Sequence, residues 1–275
     1  MFNSVVSPAP LRLGASTFMV QHWLAPEEVA VFESSPVTTL EIAPPWFWEA
    51  SAEQEAATLA ALRSSTVECW SVHAPFARGV DLSALDEEIR RSSLEALAEA
   101  FRFAGGLGCS LVVVHPSAEP IPVEERAARL ERARASLAVV AEMARMEGVR
   151  AALEPLPRSC LGNTIAEMEA LLEGMPEEHM GICLDVNHAN VGQRLTDFIA
   201  RLGPRILTLH ISDNDGLDEK HWLPGEGVID WQELVGALRR IGYRGPFLYE
   251  VGLGDKALAE RLIELGANYA NVLGR

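Results

Sequence analysis

Carboxylates and imidazoles in this sequence gather at the ends of short apolar runs. The segment GICLDVNHAN, residues 181–190, leads a strand-like run into Asp185 and, three residues on, His188. Other runs end in VHAP with His73, VVVHPS with His115, LEPLPRS with Glu154, LHISDNDG with His210 and LYEVG with Glu250, and an earlier one, VTTLEIA, carries Glu41. Of the seven histidines, four stand at such ends or just beyond, and His221 lies in the loop after the seventh run. Residues two apart in a strand share a face, so Ala152 with Glu154, Cys183 with Asp185, Thr208 with His210 and Leu248 with Glu250 point the same way. Carboxylates converging in a buried space repel one another and are costly to desolvate unless protons or a cation neutralise them. A divalent metal removes that conflict. Glu154, Asp185, His210 and Glu250 offer three carboxylates and one imidazole, an oxygen-rich set without cysteine that suits a catalytic site for Mn, Co or Mg better than structural zinc.

Such groups need elements that bring them to one place. Eight β-rich runs recur, over 11–17, 37–43, 67–73, 110–115, 150–156, 181–186, 205–212 and 246–252. Between them lie segments with helical spacing, clearest over 82–108 and 122–148, each closed by glycine. Alternating strand and helix implies parallel strands joined by right-handed crossovers, and eight units in this length suit an α/β fold of the closed (β/α)8 type, a single TIM barrel domain over 1–275. In that fold active sites sit at the C-terminal ends of the strands, where the candidate ligands stand. An open doubly wound sheet is the alternative, but the first turn, GASTFMVQHW, lacks the glycine-rich dinucleotide fingerprint.

Composition narrows the partners. With 39 acidic against 23 basic side chains and a formal net charge of −16, the chain is set against non-specific binding to a phosphate backbone or an anionic membrane. No nucleic-acid or membrane partner is therefore expected. Cys69, Cys109, Cys160 and Cys183 show no CxxC spacing and read as reduced thiols of a cytoplasmic protein. The N-terminal MFNSVVSPAPLRL has no basic segment followed by a long apolar one, so no export signal is expected.

LEPLPRS, GICLDVNHANV, LHISDNDG, HWLPGEGVIDW and FLYEVG together resemble the sugar (phosphate) isomerase/epimerase group of the xylose-isomerase-like TIM barrels. The resemblance implies metal ligands at Glu154, Asp185, His210 and Glu250, with the two glutamates also moving protons, and a substrate-contacting His188. The cofactor it implies is one divalent ion, Mn2+ or Zn2+, with Co2+ and Mg2+ compatible. Arg158, His73, His115 and His221 complete the expected substrate-binding set. More distantly the chain resembles endonuclease IV, whose trinuclear zinc site also draws histidines from VHAP and HP strand ends; Glu219-Lys220-His221 stands where that type has a D-x-H pair.

The expected reaction is isomerisation or epimerisation of a polyhydroxy carbonyl compound, a step of carbohydrate metabolism, through an enediolate formed next to the carbonyl. An inosose-type dehydratase would use the same enolate, and a zinc phosphodiesterase on abasic DNA or a non-catalytic sugar-binding barrel are the rival classes. A homo-oligomer is compatible with the sequence. Ketose epimerases of the group often carry PLNR after the strand-five glutamate, where this chain has Pro157 before Arg158, and an arginine soon after the strand-seven histidine, which it lacks before Lys220. Free ketohexose is thereby disfavoured as substrate. Each residue also has a plainer role open to it: Asp185 as a helix cap, Glu41 as an internal hydrogen-bonding group, SDNDG and PGEG as turns. Trp46 to Trp48 in PPWFW read either as a cover over the mouth or as local packing.

Overall fold

The computed structural model describes residues 11–48, 50–76 and 79–274; residues 1–10, part of the N-terminal stretch read above for an export signal, lie outside them. Each of the eight apolar runs carries a strand: β1 (Leu13–Ser16), β2 (Thr39–Ile42), β3 (Glu68–His73), β4 (Leu111–Val114), β5 (Arg150–Leu153), β6 (Met180–Asp185), β7 (Ile206–His210) and β8 (Phe247–Tyr249). All pair in parallel, in the order β7-β6-β5-β4-β3-β2-β1-β8. Main-chain bonds from Ile211 N to Leu248 O (2.8 Å) and from Glu250 N to Ile211 O (3.0 Å) join β7 to β8 and close the TIM barrel.

The strands are apolar on both faces because both faces are covered. Outward residues such as Val112, Val114, Leu153, Ile182, Leu184 and Leu209 are fully buried in one large cluster that includes Phe101, Leu137 and Phe198 of the surrounding helices. Full burial of such a side chain is worth ~1.5–3 kcal/mol. The two long helices are α1 (Glu87–Leu107) and α2 (Arg126–Glu147). Asp86 starts the first by accepting from Glu88 N at 2.8 Å, and glycines in left-handed backbone, Gly108 (φ 81°) and Gly148 (φ 68°), end both. Among the described residues, no helix is long and apolar enough to cross a membrane.

Two register slips shape the barrel interior. Leu40 pairs with Cys69 but Glu41 with Ser71, so Trp70 is the extra residue of β3; Ile182 pairs with Ile206 but Cys183 with Thr208, so Leu207 is extra in β7. Trp70 Nε1 donates to Thr208 Oγ1 across the barrel (3.1 Å), and Leu207 packs against Val113, Ala152 and Cys183. The second slip depends on Gly181, where a Cβ would fall 2.5 Å from Arg205 O and 2.5 Å from Leu207 Cγ. Gly181→Ala is therefore expected to destabilise the protein by about 1–3 kcal/mol through overpacking. Urea unfolding should show a lower midpoint at unchanged slope, and an unmoved midpoint would mean that the β7 backbone yields freely.

Candidate active site

The four carboxylate and imidazole groups singled out by alternation meet at the C-terminal mouth. Glu154 follows β5, held by its N–H to Val114 O (3.0 Å); Asp185 and His210 end β6 and β7; Glu250 follows β8. One ligating atom from each lies within 4.8 Å of those of the other three. His210 Nδ1 stands 3.3 Å from Glu154 Oε1, 3.2 Å from Glu250 Oε2 and 3.8 Å from Asp185 Oδ2. Its other nitrogen, Nε2, faces Glu41 Oε2 at 3.0 Å. Glu154, Asp185 and His210 are sealed from solvent, whereas the Glu250 side chain is 17% exposed and lines the cavity above.

A divalent cation fits this set. It offers hard anionic oxygens and one imidazole whose far nitrogen is already occupied by a carboxylate. Asp185 Oδ2 and Glu250 Oε2 are buried without a hydrogen-bond partner, as oxygens kept for a cation would be. Asp185 caps a helix and faces the cluster at once. Oδ1 accepts from His188 N at 2.7 Å and caps the short helix Val186–Asn190, while Oδ2 is turned into the cluster.

Protonation follows from crowding. Burial pushes the Asp185 carboxyl up to about 7, and the neighbouring Glu154 and Glu250 charges push it the same way. Burial opposes ionisation of Glu154 and Glu250 more than any single neighbour favours it, but the surrounding imidazoles together outweigh it, His210 with His115 and His188 at Glu154 and His210 with His221 at Glu250, so these carboxyls stay below the ordinary range. The imidazoles of His188 and His210 lose solvation, yet the carboxylates around them raise both well above the ordinary value. A cation held by the same oxygens competes with those protons, so its binding would release them.

The remaining histidines flank this centre on two sides. His73 Nε2 and His115 Nε2 approach Glu154 Oε2 at 3.4 and 3.1 Å, and the His73 ring lies nearly parallel to His210. On the other side His188 Nδ1 is 3.2 Å from Glu154 Oε1, and its Nε2 is 3.4 Å from Glu219 Oε1. His221 Nε2 meets the same Glu219 oxygen at 2.8 Å. Burial disfavours its charge, but Glu219 and Glu250 raise His221 to about 9, so both ring nitrogens donate, Nε2 to Glu219 and Nδ1 to the main-chain oxygen of Glu250 (3.0 Å). His73, His115 and Glu154 form one further group with metal-ligand spacing, and His188, Glu219 and His221 another.

Arg158 is brought to the rim but not to the centre. In left-handed backbone (φ 54°), it pairs with Glu119 (2.6 Å), Asp218 (3.0 Å) and Glu219 (3.1 Å), tying together the loops after β4, β5 and β7. The motifs SDNDG and PGEGVIDW serve as scaffold. Buried Asp213 accepts from Gly225 N (2.8 Å), Trp231 Nε1 (2.9 Å) and Asn214 N (2.9 Å), and a main-chain pair with Trp222 makes the hairpin that presents His221. Phe18, Phe47 and Phe76 pack together with ring centroids 4.9–5.7 Å apart, and Phe76 lies 4.9 Å from His73 and from His115. With Trp48 and His221 they line a cavity of about 880 Å³. The PPWFW segment is thus divided: Phe47 and Trp48 face the cavity, while Trp46 packs on Phe103 (5.3 Å). In the sequence Glu219 stands out only as the first residue of Glu219-Lys220-His221, in the endonuclease-like resemblance, and Glu41 only as an internal hydrogen-bonding group. Only the position of Glu41 in an apolar strand, where a charge needs a partner, could have drawn attention to it.

The class defined by fold and site is a (β/α)8 barrel with a carboxylate–histidine cluster of metal-ligand spacing at its mouth. Residues 29–268 match the family model for xylose isomerase-like TIM barrels, and the chain belongs to that family. It is 26% identical over 153 residues to an inosose isomerase of Halalkalibacterium halodurans, covering 52% of this chain and 54% of that one. To a fructoselysine 3-epimerase of Escherichia coli O157:H7 it is 27% identical over 165 residues, covering 58% and 59%. The chain therefore spans less than two thirds of the length of either relative. A solved structure of D-psicose 3-epimerase with D-tagatose, from Clostridium cellulolyticum H10, superposes with a TM-score of 0.80 at 23% identity, covering 96% of this chain and 99% of that one, a likeness of fold.

Proposed function

We propose that the chain acts as a single barrel domain, a cytoplasmic, divalent-metal-dependent isomerase or epimerase of a polyhydroxy carbonyl compound. The observation that carries the reading is the pair of glutamates, Glu154 after β5 and Glu250 after β8, which enter one buried cluster from strands three places apart in the barrel. The epimerase and isomerase names of its relatives support it, and four free cysteines agree with a reducing compartment.

Held by Glu154, Asp185, His210 and Glu250, a divalent ion, Mn2+ or Zn2+, would polarise the substrate carbonyl and acidify the neighbouring C–H. One glutamate then takes that proton, leaving an enediolate, and the other returns a proton on the opposite face or at the adjacent carbon. His188, set between Glu154 and Glu219, contacts the substrate oxygens, and the Phe18–Phe47–Phe76 cluster excludes water and offers a face for C–H groups.

The test is proton exchange. Ketoses, their phosphates and inososes incubated with the protein in heavy water should give metal-dependent deuterium incorporation at the carbon next to the carbonyl for at least one compound, followed by NMR. A pure sugar binder would give none for any. A second reading, a trinuclear zinc phosphodiesterase, is favoured by the two flanking groups His73–His115–Glu154 and His188–Glu219–His221. The net charge of −16 opposes a DNA partner. Elemental analysis of protein purified without chelator should find about one transition metal per chain; about three, with zinc dominant and an abasic duplex cut, would establish the second reading instead.

A further inference from the structure

Glu41 lies fully buried in β2 and belongs to none of the metal-spaced groups. Burying a carboxylate is costly unless a specific partner holds it. Among the described residues, the imidazole that meets Glu41 is His210, with Nε2 at 3.0 Å from Oε2, and Ser71 Oγ donates to the same oxygen at 2.9 Å. The slip between β2 and β3 is what sets Ser71 opposite Glu41. The contact falls on His210 Nε2, the nitrogen turned away from Glu154, Asp185 and Glu250.

We infer that Glu41 is the positioning residue of the metal centre: it accepts the Nε2–H of His210 and so holds the ring angle in which Nδ1 faces the three carboxylates, leaving Nδ1 as the nitrogen that can ligate once a cation displaces its proton. Its negative charge behind the ring also makes the imidazole a stronger donor. Ser71 fixes the Glu41 carboxylate in turn. The inference rests on the proposed metal site, and the experiment separates the two.

Mn2+ and Co2+ affinities of chelator-treated protein are measured by competition with a chromophoric chelator, together with the visible spectrum of the Co2+ form. Wild type should bind. Glu41→Ala should raise Kd about 10–100-fold and alter the Co2+ band, while Glu41→Gln, which keeps an acceptor oxygen but no charge, should fall between the two. Ser71→Ala should weaken binding several-fold, and with Glu41→Gln it carries the test if Glu41→Ala does not fold. Folded variants that bind within twofold of wild type with an unchanged Co2+ spectrum would overturn the role of Glu41 and leave the metal site standing. A wild type that binds neither of these ions nor Zn2+ in the same competition would overturn both.

Discussion

Glu250→Gln and Glu154→Gln should each lower turnover by roughly 10²–10⁴-fold, the usual worth of a general acid or base. Metal affinity should fall far less, because glutamine keeps the size of the side chain and one oxygen that can ligate. The two variants are expected to differ in kind. Glu250 lies at the cavity wall and its Oε2 has no hydrogen-bond partner. Glu154 is sealed, with His115 at 3.1 Å and His73 at 3.4 Å from one oxygen and His188 and His210 within 3.3 Å of the other. If the glutamates serve opposite faces, one variant still exchanges solvent deuterium into one epimer while failing to interconvert the pair, and the other variant shows the reverse. Near-normal interconversion by both variants with metal bound would reduce these residues to ligands and remove the two-base mechanism.

Asp185 offers the second large effect and separates two roles of one side chain. Asp185→Asn keeps an oxygen to accept from His188 N, and asparagine caps helices about as well as aspartate. It should therefore fold with nearly unchanged stability while losing metal, by more than the roughly 10–100-fold expected for a supporting residue, and losing activity as a consequence. Asp185→Ala should lose the metal too and, with the cap gone, a further ~1 kcal/mol of stability. His210→Ala should behave like Asp185→Asn in metal binding. In all three, excess metal should restore part of the activity, which it cannot do for the glutamine variants. The checks are chelator competition, urea unfolding and activity against metal concentration. An Asp185→Asn protein that binds metal as wild type does would show that the aspartate is a cap only.

Much of the architecture was legible in the chain. Strands buried on both faces must be short, apolar and β-branched, and each must be bounded by glycine, proline or polar turn residues; 110–115 and 181–186 meet that description and form β4 and β6. The two-residue period within a strand likewise placed Glu154, Asp185, His210 and Glu250 on inward faces, because the peptide geometry that sets the period is local. What no local rule contains is which inward residues meet across the barrel. Glu41 and His210 are 169 positions apart, and their contact exists because closure of β7 on β8 and β8 on β1 brings β2 round to face β7. The same holds for Glu219, which the sequence sets two residues before His221 but which also reaches His188 because Arg158 and the Asp213 hairpin hold its loop over the mouth. Pattern along the chain decided which side chains point inward. Closure and loop packing, which sum contacts between residues far apart in sequence, decided their partners.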